Sequence, residues 1–254
     1  MLPEIRRRKI FQLIAANPGE VLEVSRLIEE FNVSVSTIRR DLILMEKEGR
    51  VKRVFGGVTL ASQSEHDILF EYRVNLNKME KKRIGAAAAR MIKSREVIML
   101  DSGTTTLEIA KHIDPTIKDL VVITTSLDIA VTLASRRNIK VILPGGELDS
   151  RTHGLFGPLV EETTKKIKID KLFMGTGGIS GQHLTNFNMQ TLHNRRLAIS
   201  RAKQIIAVAD HTKFEKEGFV PLVPLSSVHK IIIDKETPPE KVAQLRKQVE
   251  VVLV

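Results

Sequence analysis

Two adjacent arginines, Arg39 and Arg40, follow a run of small hydroxyl residues in the stretch SVSTIRRDL at positions 34–42. Short side chains at the start of a helix let its backbone approach a phosphate or the edge of a base. An arginine further along the helix offers two parallel donors, which suit guanine or a phosphate. The order of these residue types therefore predicts a helix that contacts nucleic acid, and the simpler alternative is a solvated helix face.

The segments around this stretch predict a helix-turn-helix. Apolar residues recur at helical spacing in 3–17 and again in 21–31, and Ser34 is placed as the N-cap of a third helix. On that third helix the predicted buried face holds Ile38, Leu42 and Met45. The predicted outward face holds Ser36, Thr37, Arg40 and Leu44, with Arg39 and Asp41 at its flanks. In a helix-turn-helix the second helix of the motif enters the major groove, which suits this outward face.

A β-hairpin, or wing, is predicted directly after the third helix. The stretch RVKRVFGGVTL at 50–60 contains two short apolar-alternating runs around Gly56–Gly57. Basic residues of the wing would face phosphate. The predicted DNA contacts are Ser34, Ser36, Thr37, Arg39, Arg40, Arg50, Lys52 and Arg53. Residues 1–60 are thus interpreted as a winged helix-turn-helix domain, and 61–76 as a linker.

The remainder of the chain, 77–254, predicts an α/β domain with a mostly parallel sheet. Short runs rich in Val, Ile and Leu alternate with helical patterns, which is typical of buried parallel strands. These runs are VIML, LVVIT, IKVIL, KLFMG, QIIAVAD, HKIIID and VEVVLV. We expect this domain to carry a ligand site and to mediate oligomerisation.

Small polar residues follow five of these predicted strands. The carboxyl ends of parallel strands lie at one edge of a sheet, where ligands bind in α/β proteins. The candidate ligand residues are Asp101, Ser102, Gly103, Thr104, Thr105, Thr125, Ser126, Gly145, Gly146, Gly177, Gly178, Asp210 and Lys213. In the stretch DSGTTT at 101–106, a glycine among hydroxyl residues at a helix start offers donors to a phosphate, and Lys213 adds a cation.

Composition limits the possible function classes. The 254 residues carry a formal charge of +10, which favours an anionic partner such as nucleic acid or phosphate esters. The sequence has no cysteine, so cysteine-ligated zinc is excluded, and the scattered histidines predict no metal site. Known nucleotide motifs fit badly, so no cofactor is expected. The charged N-terminus and the lack of a long apolar run predict a soluble, cytoplasmic protein without membrane contact.

The stretch VSVSTIRRDLILMEKEGRVKRVFGGV at 33–58 closely resembles the winged helix-turn-helix signature of the DeoR family of bacterial transcriptional repressors. The resemblance continues through FEYR, DSGTTT and ADHTKF, so it covers nearly the whole chain. It implies a C-terminal sensor domain similar in fold to sugar-phosphate isomerases and coenzyme A transferases. In that family the domain binds a phosphorylated sugar or related metabolite, which weakens binding to double-stranded operator DNA.

Carried over by motif, the resemblance implies that residues 101–105 hold the phosphate and that the other candidate residues line the rest of the site. A dimer or tetramer is expected as well, because one short recognition helix reads few base pairs and operators present paired half-sites. One segment departs from the family, which usually has an acidic run of the type E-A-E-x-K-R. Here Gln190, Thr191 and His193 stand where glutamates are common, and only Arg195 and Arg196 keep the pattern. The departure predicts a different effector or an altered binding geometry.

Two other functions remain as alternatives. The first is a sugar-phosphate isomerase fused to a basic accessory domain, with a base and an electrophile supplied from among Asp101, Asp210 and Lys213. Such chemistry usually needs a positioned carboxylate pair, and the substituted acidic segment removes the obvious candidates. The second alternative is constitutive nucleic-acid binding, with an α/β domain that serves only to oligomerise the protein. The phosphate-type loops argue against this second alternative.

Overall fold

The computed structural model of the protein describes residues 1–16, 21–48, 50–60, 70–218 and 220–254. The chain divides into two compact units, Met1–Asn77 and Lys78–Val254. Within the described ranges, no helix is both long enough and apolar enough to cross a membrane.

The first unit is built from helices packed against a small antiparallel sheet. Its described elements are α1 (Pro3–Ala16), β1 (Leu22–Glu23), α2 (Val24–Phe31), α3 (Val35–Lys47), β2 (Val51–Val54), β3 (Gly57–Leu60) and α4 (Phe70–Arg73). Ile38, Leu42 and Met45 of α3 are fully buried in its core, as the helical spacing predicts. The predicted hairpin is also present, because β2 pairs with β3 in antiparallel register.

Strand β1 is an element that the sequence pattern did not indicate. Leu22 and Glu23 fall within the predicted second helix, but they pair with β3, and α2 begins only at Val24. A glycine permits this close pairing, since a Cβ at Gly57 would lie 2.8 Å from the Leu22 carbonyl oxygen. The winged unit therefore contains a three-stranded sheet in the order β1-β3-β2.

The second half of the predicted linker belongs to the first unit. Phe70 is buried at the start of α4, and Leu76 packs against the core formed by α1, α2 and α3. Residues 61–69 of the predicted linker lie outside the described residues. The apolar side chains at 70 and 76 explain why this segment packs against the first unit instead of extending into solvent.

The second unit is a layered α/β domain. Its described elements are α5 (Lys78–Ala89), β4 (Val97–Leu100), α6 (Thr104–His112), β5 (Leu120–Thr124), α7 (Leu127–Ala134), β6 (Ile139–Ile142), β7 (Glu147–Asp149), β8 (Gly154–Phe156), α8 (Pro158–Lys165), β9 (Ile169–Gly175), β10 (Gly178–Ser180), β11 (His183–Asn186), α9 (Met189–Arg201), β12 (Ala202–Ala209), β13 (Val220–Pro224), β14 (Lys230–Ile233), α10 (Pro239–Arg246) and β15 (Glu250–Leu253).

All seven apolar runs identified in the sequence form one parallel sheet, in the order β15-β14-β12-β9-β4-β5-β6. The predicted fold class is therefore confirmed. From β4 the chain proceeds through β5 to β6 on one side, and then from β9 to β15 on the other. The strand order thus reverses between β4 and β9, which is the position where open α/β sheets bind ligands.

Two small antiparallel sheets accompany the large one, and neither was predicted. Strands β7 and β8 form a hairpin, while β10, β11 and β13 form a three-stranded sheet. Their strands are only three to five residues long, and most of them contain polar, charged, glycine or proline residues. Such short mixed runs lack the continuous apolar character that marks the seven buried strands.

Candidate functional site

The start of α3 is fixed by the hydroxyl residues that precede its arginines. The Ser34 hydroxyl accepts a hydrogen bond from the Thr37 backbone N–H at 3.3 Å, which confirms the predicted N-cap. The same hydroxyl lies 2.9 Å from both the Ser36 and the Thr37 hydroxyls. These three side chains form an exposed polar cluster at the positive end of the helix dipole.

Arg39 and Arg40 are exposed on α3, and neither forms an ion pair within the described part of the chain. The neighbouring acid does not neutralise them. Asp41, placed by the sequence pattern at a flank of the outward face, is instead buried against α1. Its carboxylate lies 2.6 Å from the Arg6 Nε and 3.5 Å from the Arg7 Nη1. The two arginines of α3 are consequently available to an external anion.

The wing is anchored to the end of α3 by its own charges. The Arg53 Nε and backbone N–H lie 2.7 and 2.9 Å from the two oxygens of the Glu46 carboxylate. These hydrogen bonds, the backbone one foremost, lower the pKa of Glu46. The Arg50 Nε lies 3.0 Å from the Glu48 carboxylate. Lys52 is exposed and forms no ion pair among the described residues, so it is the wing cation best placed to meet phosphate.

A pocket lies in the second unit where the strand order reverses, and we call it the switch-point pocket. Three of the predicted ligand residues line it, namely Asp101, Ser102 and Thr125. The other lining residues are Met99, Leu155, Leu172, Met174, Thr191, Asn194, Arg195 and Ala198. The lining therefore combines apolar side chains with a few polar groups, which is the mixture of side chains that small-molecule sites use.

An ion pair spans the switch point. The Arg195 Nη2 lies 2.8 Å from the Asp101 Oδ2 and also donates a hydrogen bond to the Gly175 carbonyl. Asp101 follows β4 and Gly175 ends β9, so this arginine connects the two strands between which the order reverses. Burial raises the pKa of Asp101, and the Arg195 charge and the Ser102 backbone N–H act in the opposite direction.

The hydroxyl-rich turn after Asp101 leads directly into α6. Thr104, Thr105 and Thr106 are all buried at the start of this helix. The Thr106 hydroxyl donates to the Asp101 carbonyl at 2.6 Å, which closes the turn. The first N–H groups of α6 therefore lie at the carboxyl end of β4, the orientation that suits an anion.

The β7–β8 hairpin docks beside the pocket. The Leu155 backbone N–H of β8 donates to the Thr125 carbonyl at 2.7 Å, and the Leu155 side chain lines the pocket. Ser126 is fully buried and caps α7, since its hydroxyl accepts from the Ile129 N–H at 3.3 Å. Of this predicted pair, Thr125 contacts the pocket while Ser126 holds the helix that follows it.

Five predicted glycines lie outside the set of residues that lines the pocket. Gly103 is the N-cap residue of α6, and each of the other four lies beside another chain segment. Gly145 packs beside Leu159 of α8, and a Cβ at Gly146 would lie 2.6 Å from the Phe156 carbonyl oxygen. A Cβ at Gly177 would lie 2.8 Å from the Phe187 ring. A Cβ at Gly178 would overlap the Lys216 backbone. These glycines permit close packing of the chain around the site.

Asp210 and Lys213 follow the carboxyl end of β12, and they too lie outside the lining set. Asp210 is fully buried, and its carboxylate accepts from the Thr212 N–H at 3.2 Å at the start of a 3₁₀ turn, His211–Glu215. Lys213 is half-buried on that turn. The structure thus brings together the residues following β4 and β5, and it places those following β6, β9 and β12 elsewhere.

The candidate ligand residues predicted from the sequence include none on α9, although the departure from the family pattern in this segment predicts an effect on effector binding. Thr191, Asn194, Arg195 and Ala198 all line the switch-point pocket, and they follow the i, i+3, i+4, i+7 spacing of one helix face. Polar residues on an otherwise buried helical stripe are the pattern that would have indicated them. The departure from the acidic family segment therefore falls on a helix that forms the pocket wall.

Comparison with known proteins gives two family matches. Residues 6–64 match the DeoR-like helix-turn-helix domain, and residues 76–235 match the DeoR C terminal sensor domain. The uncharacterized HTH-type transcriptional regulator YulB of Bacillus subtilis is 36% identical over 100% of this chain and 98% of its own length. The HTH-type transcriptional repressor GlcR of the same organism is 32% identical, covering 80% of this chain and 78% of its own.

Among solved structures, ribose 5-phosphate isomerase A from Methanocaldococcus jannaschii aligns with a TM-score of 0.41 and 14% identity. That alignment covers 54% of this chain and 55% of the isomerase chain.

Proposed function

Because the chain belongs to the DeoR family of transcriptional regulators, we propose that it is a repressor whose affinity for operator DNA is controlled by a phosphorylated sugar or a related phosphorylated metabolite. In this proposal the first unit binds double-stranded DNA. The second unit binds the effector in the switch-point pocket and assembles the chain into a homo-oligomer.

The observation that carries the DNA-binding half is the outward face of α3. Arg39 and Arg40 are exposed without an ion pair in the described residues, while the nearby Asp41 is occupied by Arg6 and Arg7. Ser34, Ser36 and Thr37 form a hydroxyl cluster at the start of this helix, ahead of the two arginines. All three belong to the predicted set of DNA contacts. Arg50, Lys52 and Arg53 of the wing segment add positive charge, with Lys52 as the principal phosphate contact.

The effector half of the proposal is supported by the turn at 101–105. The start of α6 offers backbone N–H groups and threonine hydroxyls to an anion, and the turn opens onto the switch-point pocket through Asp101 and Ser102. We assign the phosphate to this turn and the rest of the effector to the pocket. Thr125 would contact the effector directly, whereas Ser126 and the glycines at 145, 146, 177 and 178 would shape the surrounding loops. Asp210 and Lys213 lie outside the lining set, so we assign them no direct contact with the part of the effector that occupies the pocket.

We do not expect isomerase turnover from this pocket. Among its described lining residues Asp101 is the only carboxylate, and Arg195 pairs with it at 2.8 Å. Proton transfer between two substrate carbons usually needs a free, positioned base. Purified protein should therefore leave aldose and ketose phosphates unchanged, and turnover that Asp210→Asn abolishes would contradict this expectation.

Effector and operator would be coupled reciprocally. If the effector weakens operator binding, the operator weakens effector binding by the same factor, commonly worth about 1–3 kcal/mol. A single α3 reads few base pairs, so paired half-sites about 34 Å apart, and hence a dimer or tetramer, fit this function.

A double substitution in the turn tests the proposal. Thr104→Val with Thr105→Val keeps the side-chain volume but removes both hydroxyls, so the effector response should be lost while operator affinity stays intact. Thr163→Val, on α8 with its hydroxyl bonded to the Leu159 carbonyl, is the matched control and should respond normally. An unchanged response in the double variant would show that this turn does not bind the effector.

A further inference from the structure

The inner face of α9 carries a buried amide without hydrogen-bond partners. Asn194 is 6% exposed and lines the switch-point pocket beside Arg195. Within the described residues, neither its Oδ1 nor its Nδ2 forms a hydrogen bond. Most buried polar groups in proteins are hydrogen-bonded, and an unsatisfied one is destabilising by about 1–3 kcal/mol. Such an arrangement in a ligand pocket indicates that the amide serves the ligand.

Arg195 contributes a second buried donor that has no hydrogen-bond partner among the described residues. Its Nη2 is held by Asp101 and the Gly175 carbonyl, but its Nε is buried and has no partner among the described residues. The fixed guanidinium leaves this Nε in a defined position. The pocket therefore offers two donors, the Asn194 Nδ2 and the Arg195 Nε, together with one acceptor, the Asn194 Oδ1.

A second asparagine shows that the region does satisfy buried amides elsewhere. Asn186 is likewise 6% exposed. Its Nδ2 donates to the Asn188 carbonyl at 2.8 Å and to the Thr191 hydroxyl at 3.2 Å, while its Oδ1 accepts from the Phe187 N–H at 3.1 Å. The two asparagines are equally buried and differ in their hydrogen bonds. Asn186 thus has the partners of a structural amide, and Asn194 has none.

We propose that Asn194, assisted by the Arg195 Nε, binds a hydroxyl group of the effector and selects for a hydroxylated carbon skeleton. This inference rests on the proposed function, because it specifies the part of the effector that is distinct from the phosphate. A hydroxyl both donates to Oδ1 and accepts from an N–H, so it gives both polar atoms of the amide a partner. A carboxylate or phosphate oxygen only accepts, and it would leave Oδ1 without a partner.

The apolar part of the pocket agrees with this assignment. Met99, Leu172, Met174 and Ala198 line it, so the carbon skeleton of the ligand would contact apolar side chains. Hydrogen bonds to Asn194 would then form away from bulk water, where they discriminate strongly between a hydroxyl and its absence.

The first arm of the test uses the full-length protein without ligand. Asn194→Leu has nearly the same volume and removes the unsatisfied atoms, so its unfolding temperature should equal or exceed that of the wild type. Asn186→Leu is the matched control, and its unfolding temperature should fall because three hydrogen bonds are lost. If Asn194→Leu lowers the unfolding temperature as much as Asn186→Leu does, Asn194 is structural and the inference is wrong.

The second arm measures binding by calorimetry with D-ribose 5-phosphate, D-fructose 6-phosphate, D-glucose 6-phosphate and inorganic phosphate as probes. Asn194→Leu should lower the affinity for the sugar phosphate that the wild type binds most tightly by at least tenfold, and it should leave the affinity for inorganic phosphate unchanged. Equal affinity for that sugar phosphate in variant and wild type would overturn the inference. If the wild type binds none of the probes, the proposed function fails for these sugars, and the ligand-free unfolding temperatures alone decide the role of Asn194.

Discussion

The two arginines of α3 and Arg195 of α9 differ in exposure and in pairing, although they are the same type of residue. Arg39 and Arg40 are exposed and have no ion pair in the described residues, so their full charge faces solvent. Arg195 has a side chain that is 12% exposed, and Asp101 and the Gly175 carbonyl hold it. The first pair is suited to a long polyanion that arrives from outside. The pocket arginine is suited to geometric recognition of a small ligand.

Because the arginines of α3 are exposed and Arg195 is held in a largely buried ion pair, the two regions should respond differently to solution conditions. Interactions of exposed arginines with DNA phosphates weaken steeply as salt rises, because bound counterions are released. A buried ion pair is screened much less by salt, but it depends on the protonation of its acid. Binding by α3 should therefore depend on salt, while the pocket should depend on pH and on side-chain geometry.

The largest expected effect comes from Asp41, whose carboxylate compensates the buried Arg6. Asp41→Ala leaves that arginine buried without a counter-charge, which should destabilise the first unit by about 3–5 kcal/mol. Urea unfolding measures the change. Glu48→Ala removes the carboxylate that pairs with Arg50, and both of these side chains are more exposed than Arg6 and Asp41. This substitution should change the free energy of unfolding by less than about 1 kcal/mol. Equal losses in the two variants would show that the Arg6–Asp41 pair has no special structural role.

The next effect concerns Arg195 and is pH-dependent. Arg195→Met removes the charge that opposes the burial of Asp101, so the pKa of Asp101 should rise further. When the pKa of Asp101 is higher in the folded than in the unfolded state, its contribution to stability is fully present below the unfolded-state pKa of about 3.9. That contribution is lost as the pH rises through the folded-state pKa. The variant should thus lose little stability near pH 4 and about 3 kcal/mol near neutral pH.

Urea unfolding of Arg195→Met between pH 4 and pH 8 measures this dependence. Arg196→Met is the control, because the adjacent Arg196, within the part of the chain that the structure describes, bonds only to the exposed Pro221 carbonyl at 2.8 Å. A deficit that stays constant across the pH range would contradict the assignment of Asp101 as the titrating partner.

Arg40 should have an intermediate effect, confined to DNA binding. Arg40→Ala removes a potential bidentate contact and should weaken specific operator binding by about 1–3 kcal/mol, with relaxed sequence preference. Fluorescence anisotropy at fixed salt measures both quantities. Lys93→Ala, which removes an exposed cation of the second unit, should bind as the wild type does. Unchanged operator affinity in Arg40→Ala would refute its assignment as a base contact.

The smallest effect is expected for Lys52 on the wing. Lys52→Ala should weaken binding to all DNA sequences similarly and reduce the slope of log K against log salt by about 1, because one phosphate contact is lost. Titrations at several salt concentrations measure this slope. A change in sequence preference without a change in slope would show that Lys52 contacts bases and not a phosphate.

The regular parts of the fold could be predicted from the sequence because each follows a strong local pattern. Seven continuous apolar runs form the parallel sheet, and the spacing of Ile38, Leu42 and Met45 predicts the buried face of α3. Strand β1 escaped prediction because its pairing depends on residues distant in sequence, and the hairpin β7–β8 escaped because its strands are only three residues long. Only the folded chain pairs Leu22 with Val58.

The site was predictable only in part for a related reason. The turn at Asp101 and Ser102 could be inferred because both residues directly follow a strand at the predicted edge. The polar stripe on α9 is a weaker signal, because it does not show which part of the protein the stripe faces. Only the docking of this helix turns Asn194 and Arg195 toward the pocket. Likewise, the sequence does not show that Asp41 pairs with Arg6, a residue 35 positions away.

The most direct test of the account is operator binding by the full-length protein in the presence and absence of sugar phosphates. Fluorescence anisotropy with DNA from the promoter region of its own gene, at fixed salt, gives the affinity in each case. The account predicts specific binding that one phosphorylated sugar weakens by about 5- to 150-fold, the usual range of coupling. Specific binding that no phosphorylated compound alters would contradict the sensor assignment, and the absence of specific binding would contradict the role of Arg39 and Arg40.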